Sequence, residues 1–177
     1  VNFFKLDKDI DSCVVAHCDQ HAVKMSVEYA QLLSSAHRVL DGDKYITKNK
    51  AGRRLVRYKL DYPVYEAAHI NHPTTQWTRQ SESNYFHLFE HWVKLMEEYT
   101  YRFGKVHKCS ELIDALSKAP NNIVENDYSD PPQAMPDSYK CNDVVAAYRD
   151  FYINEKKFAR YTRRDKPEWL NGRATDL

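Results

Sequence analysis

Between Ala16 and Leu40 the chain reads AHCDQHAVKMSVEYAQLLSSAHRVL, an apolar segment crossed by one narrow polar stripe. His17, His21, Lys24, Glu28, Gln31 and Ser35 recur at alternating spacings of four and three. That spacing predicts one helix with all six on one face. The other positions are mostly Val14, Val15, Ala22, Val23, Met25, Val27, Tyr29, Ala30, Leu32, Leu33 and Ala36. A helix this apolar is packed on most sides, so the stripe reads as the wall of a cleft. Imidazole, amine and carboxylate held together can move protons or attack an electrophile.

The 177 residues suffice for one domain with a core, and 13 tyrosines supply large side chains to fill it. A net charge of +1 gives no bulk signal for nucleic acid but leaves room for a local basic patch. No run is long and apolar enough to span a membrane. The start, VNFFKLDKD, lacks the charged and apolar regions of a secretory signal. Cys13, Cys18, Cys109 and Cys141 form no C-x-x-C pair and read as free thiols of a cytoplasmic protein. A zinc site shared with histidines is the alternative, although close ligand pairs are missing.

Helical periodicity runs from about residue 9 to 40, with Asp7, Asp9 and Asp11 as capping candidates, and stops at Asp41-Gly42-Asp43. Two alternating runs about Asn49-Lys50-Ala51-Gly52 predict an exposed β-hairpin within 43–61. It carries Lys44, Lys48, Lys50, Arg53, Arg54, Arg57 and Lys59. Pro73 opens another helix, and Ser81 or Ser83 caps a long one over 83–103 that Gly104 ends. A short helix over 110–118, a Pro-rich loop over 119–138 and a final helix over 142–159 complete the pattern. The expected fold is mainly α: a single-domain helical bundle over 1–177 with a small hairpin insert.

Two histidine pairs, His17/His21 and His87/His91, have the i, i+4 spacing of metal ligands. Facing each other, with Glu28 as a further ligand, they would hold one ion. The competing reading is a polar seam of hydrogen-bonded imidazoles, and Lys24 and Lys94 on the same stripes would repel a cation. Arg79 with Ser81 and Asn84 suits a phosphate at a helix start, and Trp77 suits stacking on a base. The tail brings Arg160, Arg163, Arg164 and Lys166 together with Tyr161 and Trp169, which suits a nucleic-acid backbone; the competing reading is a solvated C-terminal charge run. Glycine-loop nucleotide motifs are absent, so nucleotide binding of that kind is excluded.

Asp19-Gln20-His21, followed seven residues later by Glu28, resembles bacteriophage pyrimidine-dimer DNA glycosylases of the endonuclease V type. A short apolar N-terminal segment, Tyr101-Arg102-Phe103-Gly104 closing a second long helix, and a basic C-terminus with Lys166-Pro167-Glu168-Trp169 are similar too. The resemblance implies a small mainly α enzyme that binds double-stranded DNA and uses no cofactor, in host cytoplasm if phage-encoded. It implies an N-terminal α-amine, here that of Val1, attacking the sugar C1′ of a damaged nucleotide to form an imine, with β-elimination following. Glu28 would be the acid/base, and His21 and Gln20 would line the site. An α-amine suits the role because its pKa of roughly 7.7–8.0 leaves part of it unprotonated at neutral pH. Asn2, Val27 and Gln31 stand where that family carries arginine, and Val1 lies farther from the acid. Lys24, one turn before Glu28, is the alternative imine former, provided burial lowers its pKa.

Three functions follow as expectations. The first is a DNA glycosylase/AP lyase acting on damaged or modified pyrimidines, with Glu28, Val1 or Lys24, and His21 at the reaction and Gln20, Trp77, Arg79, Arg160, Arg163 and Arg164 on the DNA. The second is a metal-dependent nucleotide or phosphoester hydrolase built on His17, His21, His87, His91 and Glu28. The third is a non-catalytic nucleic-acid or partner-binding protein whose stripe is a structural seam.

Overall fold

The computed structural model describes residues 2–157 and 159–171. The expected first helix is two helices. α1 spans Ile10–Ala16 and α2 spans Asp19–Asp41, with extended backbone at His17 and Cys18 between them. Asp9 caps α1 by accepting from the Ser12 amide at 2.8 Å. The break removes His17 from the stripe and turns it into the core, where it is fully buried.

α2 ends at Gly42, where the backbone turns extended and a Cβ would stand 2.5 Å from the Arg38 carbonyl oxygen, so only glycine fits. The chain then forms the predicted hairpin, β1 Asp43–Lys48 paired antiparallel with β2 Arg54–Lys59. At its turn the Asn49 side chain accepts from the Ala51 and Arg53 amides, and Gly52 takes φ 75°. α3 (Pro73–Thr78) begins with proline at its first turn, where the missing amide costs nothing. α4 (Glu82–Phe103) starts on the Ser81 hydroxyl and stops at Gly104 in the left-handed region (φ 68°). The expected helix over 110–118 is a 3₁₀ turn, Lys108–Leu112, running into α5 (Ile113–Leu116). The last helix, α6, covers Val144–Glu155; it starts later than expected because Asp143 caps it on the Val145 and Ala146 amides, and it ends four residues early at Lys156.

α2 packs on α4 and α3, and α1 packs on α4. Their shared core contains Phe3, Leu6, Tyr29, Leu33, Trp92, Tyr148 and Tyr152. The Pro-rich stretch over 119–138 is a strap across this core. Asp41 accepts from the Asn121 and Asn122 amides, Ser129 exchanges hydrogen bonds with Asn84, and the Pro132 carbonyl accepts from Tyr148. Among the described residues no helix is long and apolar enough to cross a membrane.

Arg102 sets the α1–α2 break. Its guanidinium has no solvent exposure, donates to the Val15 and His17 carbonyls at 2.9 and 2.8 Å, and pairs with Asp19 and Glu98. Glu98 is also held bidentately by Arg164. These bonds keep the Glu98 carboxyl below its usual value against the opposing effect of burial. Arg102→Met would leave two carbonyls and Glu98 short of partners in the core. The expected loss is about 3–5 kcal/mol, read from urea denaturation. An unchanged midpoint would show that the break does not depend on this residue.

Candidate active site

The polar stripe of α2 serves two purposes. Toward its C-terminal end it carries the extended chain that follows β2. Arg38 donates to the Tyr58, Val64 and Tyr65 carbonyls at 2.6, 2.9 and 3.1 Å. Ser35 exchanges hydrogen bonds with the backbone of Ala68, and Gln31 donates to the Glu66 carbonyl. An extended segment outside any sheet must find partners for its peptide groups, and these side chains supply them. Here the expected cleft wall is a seam.

Toward the N-terminal end the stripe is uncovered. The Lys24 amine lies 3.2 Å from the Glu28 carboxylate. Lys24 is two-thirds exposed and Glu28 about one-quarter, so Lys24 is not the desolvated amine that the sequence suggested. Val23 and Val27, expected in the core, are exposed beside them. His72 caps α3 on the Thr74 amide; burial holds its imidazole below the ordinary value, and the Glu28 carboxylate opposes that shift. His69, in the approach to His72, has φ 48°, an unfavourable backbone for a residue with a Cβ.

A cleft of about 300 Å³ adjoins this end, lined by Gln20, His21, Lys24, Cys18, Glu155, Lys156 and Ala159. The structure therefore brings Gln20, His21 and Lys24 together, with Glu28 one turn along. His21 is 5% exposed, and burial pushes its pKa down to about 3, so it is neutral at physiological pH. Its Nδ1 is 2.9 Å from the Tyr152 hydroxyl, which accepts from the Cys18 amide. The buried hydroxyl needs an acceptor for its own proton, and Nδ1 provides it. This places the imidazole proton on Nε2.

The residues expected on DNA are largely committed elsewhere. Trp77 is buried, and its indole donates to the Ser129 carbonyl, so its face is not open to a base. Arg79 donates to the Thr75 and Ile70 carbonyls, and the Ser81 and Asn84 side chains are buried in capping and strap contacts. Arg164 is held by Glu98 and lies over the Tyr101 ring, while Arg163 donates to the Tyr101 carbonyl. Arg160 is exposed. Val1 lies outside the described residues.

The hairpin is the basic surface that remains available. Among the described residues, Lys44, Lys48, Lys50, Arg53, Arg54 and Lys59 have no ion pair; Arg57 alone approaches Glu66, at 3.8 Å. Cross-strand register puts Lys44, Ile46, Lys48, Arg54 and Val56 on one face, with Ile46 and Val56 exposed. The charge run in the sequence marked this surface, but the exposed apolar pair became visible only with the register.

The four-histidine metal set is not assembled. His17 and His91 rings are 5.3 Å apart, but His21 faces Tyr152 and His87 packs on Tyr128. Cys13 takes their place: its sulfur and one nitrogen each of His17 and His91 lie within 4.8 Å of one another. No protein-family model matches this chain, and no curated protein or solved structure matches it.

The His21 shift carries a pH dependence. The unfolded chain binds a proton at this residue near pH 6.5, whereas the folded chain does so only near 3. Its contribution to stability is complete above 6.5 and is lost as pH falls, by about 1.4 kcal/mol per unit. His87, lowered to about 4 by burial, acts in the same direction. Urea denaturation between pH 7 and 5 should show this loss, and His21→Gln should remove about 2 kcal/mol of it across that window. Equal slopes would contradict a neutral buried His21.

Proposed function

We propose that the protein is a DNA-processing enzyme, a glycosylase with AP-lyase activity on damaged or modified pyrimidines. In this reading residues 1–177 act as a single-domain helical bundle with the hairpin as an insert. The observation that supports it best is the pairing of an amine and a carboxylate, Lys24 and Glu28, at the mouth of the His21 cleft on the uncovered end of α2. The base of the unpaired basic hairpin joins the far end of the same helix.

Fourteen residues separate Glu28 from Gly42, or about 21 Å of helix. At about 3.4 Å per base pair, a duplex lying along α2 would advance roughly six pairs between hairpin and cleft. The hairpin would hold phosphates, and a two-stranded ribbon of this width fits a major groove. Val23 and Val27 offer apolar surface to an extruded base.

The chemistry needs an unprotonated amine, the α-amine of Val1 or that of Lys24; exposed in the free protein, Lys24 would serve only once a bound duplex excludes water and the adjacent Glu28 takes its proton. It adds to C1′ as the C1′–N bond to the base breaks, and the base leaves with a proton. The nitrogen loses its proton and the sugar ring opens to give the imine. Glu28 receives and returns these protons. Loss of a proton from C2′ then expels the 3′ phosphate. Neutral His21, donating from Nε2, orients the sugar oxygens, and Gln20 contacts the strand.

The test is borohydride reduction in the presence of duplex DNA carrying an abasic site or a thymine dimer, followed by a denaturing gel. A covalent band is expected, and peptide mapping assigns it to Lys24 or Val1. Glu28→Gln should slow its formation by about 10²–10⁴-fold while leaving the fold intact. Absence of a band with binding retained would reduce the role to nucleic-acid binding; absence of both would reject the DNA reading. Where binding is retained, Lys48→Gln and Arg54→Gln should each flatten the salt dependence of log K by about 0.9 if that side chain meets a phosphate.

A further inference from the structure

The core holds three metal-binding side chains from separate parts of the chain. Cys13 sits on α1, His17 in the break after it and His91 on α4. All are 2% exposed or less. Their ligand atoms lie within 4.8 Å of one another. We propose that Cys13, His17 and His91 form a closed site for a thiophilic metal ion, zinc(II) or copper(I), which clamps the N-terminal segment and α1 onto α4.

Three observations support the assignment. His91 Nε2 is buried without any hydrogen-bond partner, a rare condition in a folded core unless an ion or water completes it. His17 Nδ1 is 2.8 Å from the Cys13 carbonyl, which can only accept, so Nδ1 carries the proton and Nε2 presents a lone pair. That carbonyl is the kind of partner that orients a metal-bound imidazole. The Cys13 sulfur accepts from the Leu6 amide at 3.1 Å, a contact that favours a thiolate, and as a thiol it donates to the Phe4 carbonyl at 3.4 Å, giving up that proton when an ion binds. Burial alone would keep the free thiol protonated, with its pKa pushed up to about 12, and a coordinating ion reverses that balance.

The surroundings fit a structural site. Phe3, Phe4 and Leu6 are buried, and the Tyr29 hydroxyl, which donates to His17 Nε2 at 3.2 Å, would give up that bond to the ion and offer its oxygen for a fourth position. With metal–nitrogen and metal–sulfur bonds of about 2.0 and 2.3 Å, ligand atoms stand roughly 3.4–3.8 Å apart, so closing on an ion asks for approach of up to about an ångström. Zinc with one thiolate leaves the site at charge +1, close to buried Arg102, whose charge is felt at His17. Copper(I) leaves it neutral. Both ions share the preference for thiolate and imidazole.

The experiment refolds the full chain under reducing conditions with zinc(II), with copper(I), with cobalt(II) or with chelator, removes loose ions and measures bound metal. One tightly held equivalent is expected, and the better-retained ion identifies the native one. Cobalt should show a thiolate-to-metal charge-transfer band. Cys13→Ala and His91→Leu should weaken binding at least about 100-fold, whereas His87→Gln should leave it unchanged. If either core variant fails to fold, the wild-type chain still decides: loading should raise Tm and chelation should reverse the rise. Substoichiometric metal under every loading, a cobalt spectrum without the thiolate band, or metal retained in Cys13→Ala would overturn the proposal. None of these readouts depends on activity toward DNA.

Discussion

A guanidinium sealed from water at the junction of two helices governs the course of the chain from α1 into α2. Without Arg102, the peptide groups at the end of α1 and the carboxylates of Asp19 and Glu98 would face each other across a dry core. With it, the chain turns at His17 and Cys18. The turn sends consecutive histidines to different places: His17 goes inward beside Cys13 and His91, and His21 lines the cleft with Tyr152 behind it. Glu98, Arg164 and the Tyr101 ring extend the network to the C-terminal segment. The tail's basic residues are thus partly consumed in holding the fold. A fully buried ion pair is not a source of large net stability. Its effect is positional, because removing any member strands the others.

Features with local causes were legible in the sequence. The ends of α4 follow from a serine whose hydroxyl meets an amide three residues on and a glycine that takes a positive φ; neither depends on distant contacts. The hairpin follows from alternation around an Asn-to-Gly turn. The break between α1 and α2 was not legible, because apolar periodicity continues through His17 and Cys18 and the cause is Arg102, more than eighty residues away. Nor does spacing reveal what a polar stripe faces. Lys24 and Glu28 meet solvent, whereas Gln31, Ser35 and Arg38 meet the peptide groups of the chain after β2.

The same limit applies to the histidines. Their i, i+4 spacing placed His17 with His21 and His87 with His91, but the geometry pairs His17 with His91 across two elements and adds Cys13. A cysteine four residues before a histidine carries no weight in a sequence read for paired cysteines. Only the convergence of α1 and α4 makes it a ligand candidate. Burial keeps these imidazoles uncharged, which suits lone pairs aimed at an ion and suits His21 as a neutral donor, but excludes any of the three as a resting cation.

The structural positions of α2 and the positions to which the proposed chemistry is assigned are separable. The exposed Lys24–Glu28 pair contributes at most about 1 kcal/mol to folding, since solvent screens it and both side chains lose freedom in forming it. Arg38, on the same stripe, holds three carbonyls and carries structural weight. The pair lies beside two exposed valines at the uncovered end of the helix, away from the packed core. In the proposed reading the reacting groups stand where their replacement disturbs the fold least, so a chemical role for Glu28 can be separated experimentally from a structural one.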